Sequence, residues 1–169
     1  LMPRLILPPL VALAALSAAT GSAVAQEPAA EFVVPKGLGS LKYPDDNLSD
    51  PRKIALGKQL YFDPRLSADR TVSCATCHNP AHGWSDARST SQGVGGQVGG
   101  RNAPTVINSA FHRFQFWDGR AATLEEQALG PIANPIEMNL PIEEAVKRLN
   151  AIEGYRTQFH EIFGTECTE

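Results

Sequence analysis

Cys74-Ala75-Thr76-Cys77-His78 sets two thiols three residues apart and places an imidazole directly after the second. C-x-x-C-H is the attachment pattern of c-type haem. At the start of a helix, residues at that separation share one face, so each thiol can add to a porphyrin vinyl group. The adjoining His78 then reaches the iron, for which imidazole is a standard protein ligand. Two other readings compete for the same residues. A thioredoxin-like dithiol wants C-x-x-C between a strand and a helix, whereas Thr71-Val72-Ser73 is short and follows the loop-like Asp63-Pro64-Arg65. Half of a zinc site wants a second ligand pair at regular spacing, and the remaining cysteine is Cys167. The expectation is a covalent haem c, with Cys74 and Cys77 as anchors and His78 as axial ligand.

The opening residues agree with that chemistry, because covalent haem attachment in bacteria belongs outside the cytoplasm. Arg4 precedes the apolar run from Leu5, which ends in Ala23-Val24-Ala25, an A-x-A cleavage pattern before Gln26. Leu5 to Ala25 is long enough to span a membrane, but Pro8, Pro9, Thr20, Gly21 and Ser22 suit an anchor poorly. Residues 1–25 are read as a secretory signal and the mature chain as periplasmic. Removing 25 residues from 169 leaves 144, enough for one domain with its own core. A net charge of −3 carries no nucleic-acid footprint. Residue 1 is Leu, and the chain stops at Gly164-Thr165-Glu166-Cys167-Thr168-Glu169, so both ends are read as cut. Cys167 is assigned no function.

Residues 26–43, rich in Ala, Pro and Gly, read as an extended leader, and 44–169 as the haem domain. Asp50-Pro51 is an N-cap followed by proline at the first helical position, and Ile54, Ala55, Leu56, Leu60 and Tyr61 continue a helix ending near Phe62-Asp63-Pro64. Gly83, Gly93, Gly95, Gly96, Gly99 and Gly100 rule out a stable helix after the haem motif and suggest a mobile loop. Thr123-Leu124-Glu125-Glu126 is a capping box for a short helix closing at Gly130-Pro131. Pro141 opens another, with Ile142, Ala145, Val146 and Leu149 on one face, and Tyr155, Phe159, Ile162 and Phe163 mark a last one ending at Gly164. Convincing strands and internal repeats are absent. The fold class expected is all-α, a cytochrome c-like haem domain with long loops wrapped on the haem.

Further strings follow the haem motif in order: Gly93-Val94-Gly95-Gly96-Gln97, Arg101-Asn102-Ala103-Pro104-Thr105-Val106, Gln115-Phe116-Trp117-Asp118-Gly119-Arg120-Ala121, Leu124-Glu125-Glu126-Gln127-Ala128 and Gly130-Pro131-Ile132-Ala133-Asn134-Pro135-Ile136-Glu137-Met138. In this order and spacing, over roughly residues 40 to 165, the chain resembles the bacterial di-haem cytochrome c peroxidases. The resemblance implies a two-domain periplasmic enzyme with one haem in each half. This chain is similar to the N-terminal half, which binds hydrogen peroxide; the other half takes electrons from a small cytochrome c or cupredoxin. The resemblance implies Glu137 as the distal acid-base, a role served by a raised carboxyl pKa beside a haem. It implies Gln127 as the distal glutamine that orients bound oxygen, Trp117 as a relay between the haems, and Asn102 as one ligand of an interface calcium, which prefers hard oxygen donors. It also implies a homodimer for the full-length enzyme. On sequence position alone, Glu137 reads as a solvated loop acid, Gln127 as a surface residue and Trp117 as packing.

One departure stands out. In many members a histidine of the glycine-rich loop blocks the peroxidatic iron; the matching position, sixteen residues after His78, is Val94. Valine cannot ligate iron, so an open or water-ligated distal site is expected, with His82, His112 and His160 as surface or packing residues. The open site admits relatives that oxidise a protein substrate, including the enzyme that matures a tryptophan-derived quinone. A third reading is a monohaem electron carrier with Met138 as sixth ligand, since His/Met ligation raises the potential and closes the iron to peroxide.

Overall fold

Asp50 turns an extended stretch into a helix: at φ −142° its side chain accepts from the Arg52 N–H, and Pro51 supplies the preset φ of a first helical residue. The resulting α1 spans Pro51–Tyr61 in a computed structural model that describes residues 33–169. The secretory signal at 1–25 and the first part of the leader lie outside the described residues. From 33 to 50 the chain makes turns and no helix, with Val33 81% exposed, so the leader's apolar pair adds little to the core.

Four further α-helices follow among the described residues: α2 (Cys74–Cys77), α3 (Leu124–Ala133), α4 (Ile142–Asn150) and α5 (Glu153–Phe163). No strand occurs among them, in agreement with the all-α expectation. Three isolated antiparallel bridges, Asn79 to Ser85, Gln92 to Val98 and Gln115 to Ala121, instead close the long loops at their necks. Helix α5 packs on α1 and α4, and α4 also on α3. Leu56 of α1, Ala145 and Leu149 of α4 and Tyr155 of α5 bury one face each, joined by Leu66, Val72, Val94, Met138 and Leu140 from the connections. Each fully buried aliphatic side chain contributes roughly 1.5–3 kcal/mol, so loops supply much of this core. Within the expected helix Ile54 stands exposed, because α1 packs its Leu56 and Leu60 side inward.

Two local expectations also change. Helix α3 runs through Pro131 to Ala133 rather than closing at Gly130-Pro131. Proline forfeits one helical donor, and the end is tied down by backbone bonds that follow it: Asn134 N–H to Gly130 O (3.0 Å), Met138 N–H to Pro131 O (3.2 Å) and Leu140 N–H to Ile132 O (2.8 Å). The glycine-rich segment is likewise tied, with Gly93 and Val94 buried and a tight turn at Gly95 and Gly96, both at positive φ.

The joint between α1 and α5 carries a buried ionic knot. Asp63 is 6% exposed. It caps the short turn at Pro64–Leu66, accepts from Tyr155 Oη at 2.6 Å and pairs with Arg65 at 2.7 Å, while the Arg65 guanidinium lies over the Tyr155 ring.

Candidate functional site

Helix α2 is a single turn. Ser73 opens it by donating its N–H to Thr76 Oγ1 (3.0 Å), and the His78 N–H closes it on Cys74 O (2.9 Å). His78 has left the helix at φ −116°, ψ 66°. Cys74 and Cys77 are free and half-buried. Burial pushes both thiols above the ordinary cysteine range, with neighbouring negative charge adding to it.

The His78 ring is oriented by a backbone group. Its Nδ1 lies 2.8 Å from Pro104 O. A carbonyl only accepts, so Nδ1 carries the hydrogen and Nε2 keeps its lone pair for a metal, the usual arrangement of a ligating histidine. The Pro104 segment is held in turn by Thr105 Oγ1 donating to Gly83 O (2.6 Å) and by the Asp86 N–H donating to Ala103 O (3.1 Å). From the other side Tyr61 Oη donates to His78 O at 2.8 Å, its ring tilted against Trp84.

Across from this lies the turn after α3, organised by Asn134. Its Oδ1 accepts from the Ile136 N–H (3.0 Å), which directs its Nδ2 to Glu137 Oε1 (2.8 Å), and its carbonyl accepts from the Glu137 and Asn139 N–H groups. Glu137 is half-buried, and burial pushes its carboxyl up; Arg120, the Asn134 amide and His78 pull the other way without cancelling it. Both thiols feel the Glu137 charge as well, so the structure brings Cys74, Cys77, His78 and Glu137 to one region. A cavity of about 370 Å³ adjoins it, lined by Phe116, Arg120, Ala121, Glu126, Gly130 and Asn134. The Arg120 guanidinium lies 3.4 Å from the centre of the Phe116 ring and pairs with Asp118 at 2.8 Å.

The other expected residues stand apart. Gln127 is half-buried on α3, and its side chain makes no hydrogen bond among the described residues. Trp117 is 63% exposed, its indole N–H donating to Asn102 O at 2.8 Å. The Asn102 side chain spends its Nδ2 on Asp86 O and Arg88 O, and no cluster of three or more acidic, histidine or cysteine side chains among the described residues could hold a metal ion. Val94 and Met138 are both core residues, at 5% and 3% exposure, in one cluster with Leu66, Val72 and Leu140. His82, His112 and His160 are exposed, as expected.

Residues that sequence reasoning passed over are Asn134, Arg120, Tyr61 and the Pro104 carbonyl. The first two sit inside the quoted strings, where their neighbours drew the attention; the last two act through atoms that no motif announces. Paired thiols on one turn, an imidazole with Nε2 free and a half-buried carboxyl facing them fit a covalently held haem.

The comparisons agree. A family model described as di-haem cytochrome c peroxidase matches residues 51–169. The cytochrome c peroxidase of Escherichia coli K12 is 55% identical over 116 residues, covering 68% of this chain and 25% of that protein. The methylamine utilization protein MauG of Methylorubrum extorquens is 48% identical over 127 residues, covering 75% of this chain and 36% of its own length. Among solved structures, a MauG-like protein associated with microbial copper homeostasis superposes with a TM-score of 0.72 at 35% identity, covering 82% of this chain and 41% of that one. The chain thus spans a quarter to about a third of the curated relatives it matches.

Proposed function

This chain belongs to the di-haem cytochrome c peroxidase family, and on that premise we propose that it forms the peroxide-binding half of a two-haem enzyme that reduces hydrogen peroxide to water. Haem c would be held by Cys74 and Cys77, with His78 as axial ligand. When bound, the haem supplies an iron that takes the peroxide and passes it electrons.

The remaining chemistry belongs to side chains. Reduction of peroxide to two waters consumes two electrons and two protons, and the O–O bond breaks most readily when a proton leaves the near oxygen and returns to the departing one. Glu137 has the attributes of that shuttle: it is partly desolvated, oriented by Asn134 and raised toward neutral pH. Gln127 would orient the bound oxygen. Trp117, exposed and fixed through its indole N–H, would meet a second haem domain and relay electrons from a small cytochrome c or cupredoxin. Asn102 would add one amide oxygen to a calcium shared with that domain. Val94, packed in the core, supports a distal site without a histidine block. Residues 1–25 support export to the periplasm, and the full-length enzyme would be a homodimer.

The observation that carries this reading is a His78 ring held through Nδ1 in the same region as an oriented, half-buried Glu137 carboxyl that feels its charge. The test is stopped-flow mixing of the ferric, haem-loaded protein with peroxide. Glu137→Gln should slow the reaction about 10²- to 10⁴-fold, the usual size of a lost acid-base group. An unchanged rate refutes the assignment. The 48% identity to MauG favours one second reading, oxidation of a protein substrate at the same haem. Peroxide turnover by the full-length protein with a small donor cytochrome, and none with protein substrates, would decide for the peroxidase.

A further inference from the structure

The glycine-rich segment, expected as a mobile loop, is built against the turn that carries Glu137. The Val94 N–H donates to Glu137 O at 2.8 Å, and Gln97 Nε2 donates to Pro135 O at 2.9 Å. Gly93, just before Val94, lies against Ile136 and Glu137 of the same turn. Its φ of −100° and ψ of −159° are open to any residue, so its backbone conformation does not call for glycine. Space does: a Cβ there would run into the carbonyl oxygens of Ile136 and Glu137 and come within 2.7 Å of Glu137 Cα. Those are backbone atoms and cannot swing aside. The segment also closes on itself, through Gly93 N–H to Gln97 O (2.8 Å) and Gln97 N–H to Val94 O (3.3 Å), so it meets the turn as a preformed piece.

Resting on the reading of Glu137 as the acid-base group, we propose that Gly93 and Gln97 are positioning residues that set the height and direction of the Glu137 carboxyl. The segment serves as a template for the turn opposite. The physical argument is one of leverage. Asn134 orients the carboxyl from within its own turn, and the Ile136–Glu137 side of that turn rests against the glycine-rich segment, while Met138 after it is anchored in the core and through Ala68 N–H to Met138 O at 2.8 Å. Lifting the Ile136–Glu137 peptide to admit a methyl group displaces the carboxyl by an amount comparable to the lost clearance. A misplacement near 1 Å costs a proton-transfer site about a hundredfold.

The test uses the haem-loaded ferric protein, with Gly93→Ala and Gln97→Met beside Glu137→Gln. Two quantities are read between pH 4 and 9: the rate with peroxide, and the rate of cyanide binding. The second involves no turnover, and hydrogen cyanide must likewise lose its proton to a distal base. Glu137→Gln should slow both strongly; if it slows neither, the underlying reading fails and not the positioning alone. With that control in place, Gly93→Ala should slow both rates about ten- to a hundredfold and Gln97→Met by less, each with a displaced acid limb in the pH profile. Gln97 is exposed and its replacement keeps the chain length, so it remains informative if Gly93→Ala does not fold. Wild-type rates and pH profiles in Gln97→Met, or a variant that changes thermal stability alone, overturn the proposal.

Discussion

Replacing Tyr155 by Phe removes one atom from the buried knot at Asp63 and leaves the ring's packing in place. The lost contact is the 2.6 Å bond from Tyr155 Oη to Asp63 Oδ2. Hydrogen bonds to charged groups contribute about 1.5–3 kcal/mol. Here Asp63 keeps its Arg65 donors at 2.7–2.9 Å, so the carboxylate is not orphaned and the lower part of that range applies, about 1.5–2 kcal/mol. Asp63→Asn should cost more, about 2–3 kcal/mol, yet less than the 3–5 kcal/mol of a fully buried broken pair, because the Arg65 side chain is 46% exposed and can be rehydrated. The pH dependence separates the charge from the packing. Burial pushes the Asp63 carboxyl up, and the bonds from Arg65 and Tyr155 outweigh it, holding it below the ordinary range. A group with a depressed folded pKa stabilises above its unfolded pKa, near 3.9, and that contribution is lost as pH falls through the folded value. Guanidinium unfolding of the haem-loaded protein between pH 3 and 7 reads both effects. A Tyr155→Phe loss under about 0.5 kcal/mol at pH 7, the range of ordinary surface substitutions, refutes the reasoning.

Cys74→Ser with Cys77→Ser should abolish covalent haem retention, read as loss of haem stain on a denaturing gel. Glu137→Gln should stabilise the protein at pH 7 relative to wild type, because a raised folded pKa contributes stability below the unfolded value, near 4.3, and loses it as pH rises; the difference should close toward pH 4 in unfolding midpoints. Cys167 is buried, its thiol is pushed up by burial, and Asn150 brackets its backbone with two 2.9 Å bonds, so it should react with a thiol reagent only on denaturation. Tyr61→Phe should cost about 1 kcal/mol or less of stability through its bond to His78 O, measured by the same unfolding assay.

The helices were legible wherever an end carried its own chemistry: Asp50-Pro51, the Thr123 box and Gly164 each close or open a backbone locally. Pro131 misled because the bonds that hold α3 together past it come from Met138 and Leu140, which no local pattern predicts. In the glycine-rich segment the tie to the Glu137 turn was illegible for a related reason. Composition reports the freedom of a chain, whereas Gly93 is there for a neighbour forty-odd residues away. At the site, Cys74, Cys77 and His78 are contiguous and so readable together. The resemblance supplied Glu137, and what makes it suitable, the Asn134 amide and partial burial, belongs to the folded turn. Gln127 and Trp117 gain little from this chain's own contacts, since the partners expected for them are a ligand and a second domain.

The Asn134 amide that reaches Glu137 does more than aim it. With Oδ1 committed to the Ile136 N–H, Asn134 offers Oε1 only a donor. A protonated Glu137 must then carry its hydrogen on Oε2 and keep Oε1 as the carbonyl. The two oxygens are unequal before any substrate arrives, and the acid has a single face from which a proton can leave. In the infrared, that neutral acid would show one carbonyl stretch lowered by its amide bond, and Asn134→Ala would return it to the frequency of a free carboxylic acid.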